Sequence, residues 1–154
     1  MRSFESDENM HLVLVVGYDG TEPAERALQC AADMLAERPG RIEVVFVTHF
    51  PATMAFSGPA MVAVREGIED EARDLGQSVE EALGGTDLKW HFQRREGEVA
   101  SELLAVGREQ LDAEGPSTRV VLVLGGSAHK LDRYLNSTPA RVIRQDRFEV
   151  VVVP

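Results

Sequence analysis

Residues 12–21 read LVLVVGYDGT, and residues 23–38 read PAERALQCAADMLAER. The first string opens on an unbroken apolar run, Leu12–Val16, and closes on Gly17, Asp19 and Gly20. An apolar run of that length bounded by turn residues reads as a strand buried on both faces. The second string sets Ala27, Cys30, Ala31, Met34 and Leu35 on one helical stripe, so a helix follows and Cys30 is expected in the core. The same alternation recurs down the chain. Further strands are expected at Ile42–Val47, Leu88–Phe92, Val120–Leu124 and Val150–Val153. Ile68, Ala72, Leu75, Val79 and Leu83 mark a second helix, and Val99, Leu103 and Val106 a third that ends near Gly115. A short fourth helix is expected from Thr138 to Gln145. Strand alternating with helix gives β-α-β units, parallel pairing and right-handed crossovers. The fold class is therefore α/β: a single-domain, Rossmann-like, open parallel five-stranded sheet with helices on both faces.

The strands differ in character. Leu88, Trp90 and Phe92 alternate with Lys89, His91 and Gln93, which implies one wet face and places the third strand at an edge. The run Val150–Val153 is wholly apolar, and an exposed edge of that kind invites association. The helix before it is short, so it is expected at an edge, covered by a second subunit.

The chain has 154 residues, 44% hydrophobic and 27% charged, which suits one ordinary soluble domain. Residues 10–154 form that domain. Residues 1–9 (MRSFESDEN) are polar and acidic, with no apolar stretch of a signal peptide, and read as a disordered tail. The net charge is −10, which repels nucleic acid and anionic lipid, and no apolar run is long enough to cross a membrane. The single cysteine allows no internal disulfide and fits a reducing, cytoplasmic setting.

Two segments carry candidate chemistry. In open α/β sheets, ligands sit at the carboxyl ends of the strands. Asp19 falls there, where a carboxylate accepts hydrogen bonds from a ribose or a base amine. Asp19 and Thr21 equally suit plain helix capping, with Gly20 for the turn. The fourth strand ends in Gly125-Gly126-Ser127, and Asn136-Ser137-Thr138-Pro139 opens the last helix. A glycine-bearing loop leading to a helix N-terminus favours anions. Ser127, Ser137 and Thr138 add hydroxyls, while His129, Lys130 and Arg133 add positive charge; Ser137 as an N-cap with Pro139 in the first turn is the plainer reading. His11, His49, His91 and His129 show no metal-ligand spacing, so no metal site is expected. The segment Pro51–Ala60 is either a lid over the rim or irregular loop. Walker, dinucleotide and nucleophile-elbow motifs are absent. A receiver domain shares the architecture but wants an aspartate ending the third strand, where this chain has Arg94-Arg95-Glu96-Gly97.

These motifs together resemble the universal stress protein family. The opening Gly17-Tyr18-Asp19-Gly20-Thr21 through Ala27-Leu28 is similar to the family's first strand and helix. Arg95-Glu96-Gly97-Glu98 is similar to its third-strand ending. Leu122–Ser127 followed by Asn136–Val142 is similar to its C-terminal nucleotide segment, and the closing Val150–Pro154 matches in style. The resemblance implies the strand order 3-2-1-4-5, a homodimer joined through the last strand, and ATP or another adenine nucleotide, with or without Mg2+, at the rim. Carried over, Asp19 and Gly20 hold ribose or base, and Val47 offers its backbone to adenine. Gly125, Gly126, Ser127, His129, Asn136, Ser137 and Thr138 line the phosphates. The family signature is Gly-x2-Gly-x9-Gly-Ser/Thr. Here His129 stands at the second glycine, Asn136 at the third, and the span from Gly126 to Asn136 is three residues short. The adenosine half is thus better kept than the phosphate half.

The expectation is a regulatory nucleotide-binding module with no catalytic residues and at most weak ATP hydrolysis. The alternative is a dimeric stress protein that binds no nucleotide and acts on an unknown protein partner. An enzyme ranks third, with only Asp19, His49 and His129 as candidate groups.

Overall fold

Strand β1 (His11–Gly17) is the centre of the sheet, because Leu12 to Val16 are all at most 5% exposed whichever way they point. The computed structural model describes residues 10–49, 58–126 and 148–154. In chain order it adds α1 (Glu22–Leu35), β2 (Gly40–Thr48), α2 (Pro59–Leu83), β3 (Trp90–Glu96), α3 (Val99–Glu114), β4 (Thr118–Gly125) and β5 (Glu149–Val153). All four pairings are parallel and the order is β3-β2-β1-β4-β5, as the resemblance implied. Among the described residues, no helix is long and apolar enough to cross a membrane.

The chain leaves β1 toward β2 and β3, then returns over the sheet to β4. Right-handed crossovers therefore send α1 and α2 to one face and α3 to the other. Leu12, Leu14, Val16 and Tyr18 pack with α1 and the end of α2, while Val13 and Val15 pack with Leu103, Leu104 and Val106 of α3. Helices thus cover both faces. The β1/β4 boundary, where the chain direction reverses, is the topological switch point.

Several expectations shift in detail. β3 runs Trp90–Glu96 rather than Leu88–Phe92. It keeps register with β2 through Phe46↔Arg94, Val47↔Arg95 and Thr48↔Glu96, so backbone pairing carries it past the apolar stretch. It is an edge strand, as is β5. Cys30 is half-buried rather than core, because the buried stripe of α1 runs Ala24, Ala27, Leu28, Ala31 and Leu35. Helix α2 starts at Pro59, so Pro59 and Ala60 belong to it and not to a loop or lid; residues 51–57 lie outside the described residues. The fourth helix and the N-terminal tail also lie outside them.

The face of β3 away from α2 is polar. Glu43 of β2, 4% exposed, accepts from Gln93 Nε2 at 3.0 Å and lies 3.0 Å from His91 Nδ1 and 3.3 Å from Arg41 Nε. Beside it, Arg95 forks onto both carboxylate oxygens of Glu109 on α3. That hydrogen bond holds the Glu109 carboxyl below its ordinary value against the opposing effect of burial, and the Arg95 charge adds a smaller lowering. A carboxyl depressed in the folded state stabilises above its unfolded pKa of about 4.3, and the contribution is lost as pH falls through the folded value. Glu109 is 53% exposed, so screening limits the pair to about 0.5 kcal/mol. Glu109→Gln should lower the urea midpoint slightly at pH 7, by an amount that shrinks as the pH falls below about 4.3.

Candidate functional site

At the carboxyl end of β1, β2 and β4 the sheet opens into a cleft. It is lined by Gly17, Tyr18, Asp19 and Thr21 where β1 passes into α1, by Val47 of β2, by Val99 of α3 and by Gly125 of β4. Val45, Leu103 and Leu124 give it an apolar floor. The polar groups are few, and local structure positions each of them.

Asp19 Oδ1 accepts from Thr21 N at 3.0 Å and from Thr21 Oγ1 at 2.6 Å. Thr21 is the N-cap of α1, and its Oγ1 accepts from Ala24 N at 3.4 Å. The capping reading of these residues is therefore correct. It leaves Asp19 exposed in the cleft wall, with both hydrogen bonds on one carboxylate oxygen. Gly20 makes the turn at φ +77, and a Cβ there would lie 2.6 Å from Leu75 Cδ2. Thr21→Ala removes the cap while the Thr21 N–H still holds Asp19. It should cost about 1 kcal/mol of stability, read as a lowered denaturant midpoint.

Val47 contributes backbone. The Tyr18 N–H donates to the Val45 carbonyl at 2.9 Å, so Val45 faces β1. Along a parallel strand the bonding side alternates, so Val47 turns its N–H and C=O to the same side. The pairing of β1 with β2 ends at Gly17↔Val45. The Val47 groups therefore face the cleft with no backbone partner among the described residues. Their neighbour Thr48 faces β3 instead, its carbonyl accepting from Gly97 N at 2.9 Å.

Of the three described helices that follow strands on this side of the sheet, α1 and α3 have their N-termini occupied, whereas α2 begins after Gly58 with no side-chain cap and no acidic residue in its first turn. In α3, both carboxylate oxygens of Glu98 accept, from Ala100 N at 3.1 Å and Ser101 N at 2.8 Å. The first turns carry Glu22 and Glu25 in α1 and Glu102 in α3. Neither end suits a phosphate. Gly125 lies against the start of α1: a Cβ there would meet Pro23 O at 2.1 Å. The Gly126 N–H donates to the Val153 carbonyl at 2.9 Å, which fastens β5. Ser127, His129, Asn136, Ser137 and Thr138 lie outside the described residues. His49 is exposed, with Nδ1 3.3 Å from the Gly97 carbonyl. Among the described residues no group of three or more His, Cys, Asp or Glu is placed to hold a metal.

A family model for universal stress proteins matches residues 10–154. The chain belongs to the universal stress protein family. None of the curated proteins matches it. Solved structures share its fold at low identity. A universal stress family protein from Burkholderia pseudomallei is 20% identical, with 92% of this chain and 95% of that one covered and a TM-score of 0.65. A universal stress protein in complex with cAMP is 23% identical, covering 95% and 98%, with a TM-score of 0.57. An AMP-bound universal stress family protein from Arabidopsis thaliana is 12% identical, covering 92% and 90%, with a TM-score of 0.54.

Within this universal stress domain the structure brings Asp19, Val47 and Gly125 to one cleft, with Gly20 in the turn between its wall residues. Sequence reading missed Val99 and Leu103, although both begin the α3 stripe that must face the carboxyl end of the sheet. It also missed Tyr18, whose even spacing from Leu12, Leu14 and Val16 puts it on the α1 face.

Proposed function

We propose that this universal stress protein is a cytoplasmic regulatory module that binds an adenine nucleotide in the rim cleft. Support comes chiefly from the Val47 backbone pair, which faces the largely apolar cleft that Asp19 also lines. A donor and an acceptor side by side on one strand match the edge of adenine. Val45, Leu103 and Leu124 supply the apolar contact a base plane needs, and Asp19 accepts from a ribose hydroxyl. The bound cAMP and AMP of two fold relatives are in keeping with this reading. Phosphates, with or without Mg2+, fall to Gly126, Ser127, His129, Asn136, Ser137 and Thr138.

Two copies join through β5. Val150 to Val153 are half-buried at the sheet edge, and a partner strand there would cover both the valines and the open backbone.

The test is calorimetric titration of ATP, AMP and cAMP into the full chain, after a denatured portion has been assayed for carried-over adenine. Saturable binding of any of the three supports the proposal. AMP or cAMP binding more tightly than ATP would show that the shortened loop contributes little. Absence of heat and of carried-over nucleotide would favour the second reading, a module that acts on a protein partner. That reading is supported by the glycines missing at His129 and Asn136.

A further inference from the structure

Helix α2 meets the Asp19 turn at one side chain. A Cβ at Gly20 would lie 2.6 Å from Leu75 Cδ2, so a Leu75 methyl group fills the place where another residue would carry its side chain. Apart from the chain neighbours of Gly20, no other described group comes within 4 Å of that position. Leu75 does not line the rim cleft. It is half-buried and packs against the cluster that holds Tyr18 and Val79.

The seat of Leu75 is itself fixed. Its neighbour Gly76 meets the Phe92 ring of β3, where an added Cβ would lie 3.2 Å from Cδ1. One turn on, Val79 is fully buried, as is Leu83 after it. Toward the start of the helix the stripe opens: Ala72 and Ile68 are half-buried, and Val62 is exposed. Leu75 thus stands where the anchored half of α2 ends.

The turn it supports is otherwise open, since Asp19, Gly20 and Thr21 are all exposed. The two hydrogen bonds from Thr21 to Asp19 Oδ1 set the shape of the turn. Between those residues stands a glycine, which has the widest backbone freedom of any residue. Contact from α2 limits how far that hinge can swing.

We propose that Leu75 is a positioning residue, which holds the Gly20 hinge so that Asp19 stays at the cleft; this rests on the nucleotide reading of that cleft. A carboxylate already in place accepts from a ribose hydroxyl without first being ordered, so loss of the support lowers affinity. The effect passes through Asp19 and needs no contact between Leu75 and the ligand.

The experiment compares Leu75→Ala, Leu75→Met and Val79→Ala in the full chain, at a temperature where thermal melts show all three folded. Val79→Ala removes buried surface from the same helix stripe without touching the turn. In the ligand-free protein the Thr21 amide, bonded to Asp19 Oδ1, should exchange its hydrogen about fivefold faster in Leu75→Ala and as the parent does in the other two. Calorimetric titration of AMP should show affinity about fivefold weaker in Leu75→Ala, restored in Leu75→Met and parental in Val79→Ala. In an Asp19→Ala background, Leu75→Ala should cost nothing further, because both changes remove one contact. Four results would overturn the proposal: Thr21 exchange unmoved in Leu75→Ala, AMP bound by Leu75→Ala as tightly as by the parent, equal changes in Val79→Ala, or an undiminished further loss in the Asp19→Ala background. Absence of nucleotide binding in the parent would count against the nucleotide reading instead, and Thr21 exchange alone would then decide whether Leu75 holds the turn.

Discussion

Gly125→Ala should be among the most damaging single substitutions in this chain, although it adds only one methyl group. The new Cβ would lie 2.1 Å from the Pro23 carbonyl oxygen and 2.7 Å from the Ala24 nitrogen. Both are backbone atoms of the first turn of α1, so no side chain can swing aside. Either α1 lifts from the sheet or β4 loses its place beside β5. Overpacking costs roughly 1–3 kcal/mol where side chains can adjust, and a backbone clash belongs at the top of that range. For a chain of this size about 3 kcal/mol is a fall in Tm on the order of 10 °C. Gly67→Ala is the contrast. Gly67 is exposed within α2 and a Cβ there would meet nothing within 4 Å. Removing a helical glycine should raise stability by about 0.5–1 kcal/mol. Paired thermal melts of the two variants check both directions.

The clash also explains part of the glycine motif at the end of β4. From sequence, Gly125 and Gly126 read as room for phosphates. In the structure Gly125 lets α1 begin against the sheet, and the Gly126 amide is bonded to Val153. These packing needs leave no mark that a sequence reader can tell from a ligand's.

The second large effect is on binding. Asp19→Ala should weaken adenine-nucleotide affinity by roughly 10- to 100-fold, the worth of about 1.5–3 kcal/mol for a hydrogen bond to a charged group. Asp19→Asn separates its two duties. The amide oxygen can still accept from Thr21, so the turn and the stability of α1 should survive. The charge facing a ribose hydroxyl is gone, so affinity should fall by about tenfold. If Asp19 serves the turn alone, Asp19→Asn would bind as the parent does. Thermal melts beside calorimetry distinguish the two roles.

How much of this was legible in the sequence depended on where each signal is stored. Leu12–Val16 and Val120–Leu124 are central strands, buried on both faces, so unbroken apolar runs announced them. β3 has one covered face only, and Arg94, Arg95 and Glu96 are held by backbone pairing, so the apolar alternation that marked the strand stopped at Phe92. The α1 stripe was misplaced by a small rotation. Alanine is small enough to sit on any side of a helix, and Ala24 and Ala27 outweigh Cys30 at the sheet. Asp19 was visible as a carboxylate at a strand end. The geometry of Val47 was not, because an open N–H and C=O depend on where the neighbouring strand stops. That position came from family resemblance, and the end of β1–β2 pairing at Gly17↔Val45 supplies its physical reason.

The Val47 amide offers the most direct check. In a two-dimensional 1H–15N correlation spectrum of the full chain, AMP is added stepwise and the amide signals of Val45 and Val47 are followed. Val45 lies within the β1–β2 register, whereas the Val47 amide faces the cleft beyond its end. Adenine binding at the rim predicts a large, saturating downfield shift for Val47, little change for Val45, and loss of the effect in Asp19→Ala. A Val47 signal that stays in place while AMP saturates elsewhere would contradict the account, as would no saturable change with AMP, ATP or cAMP.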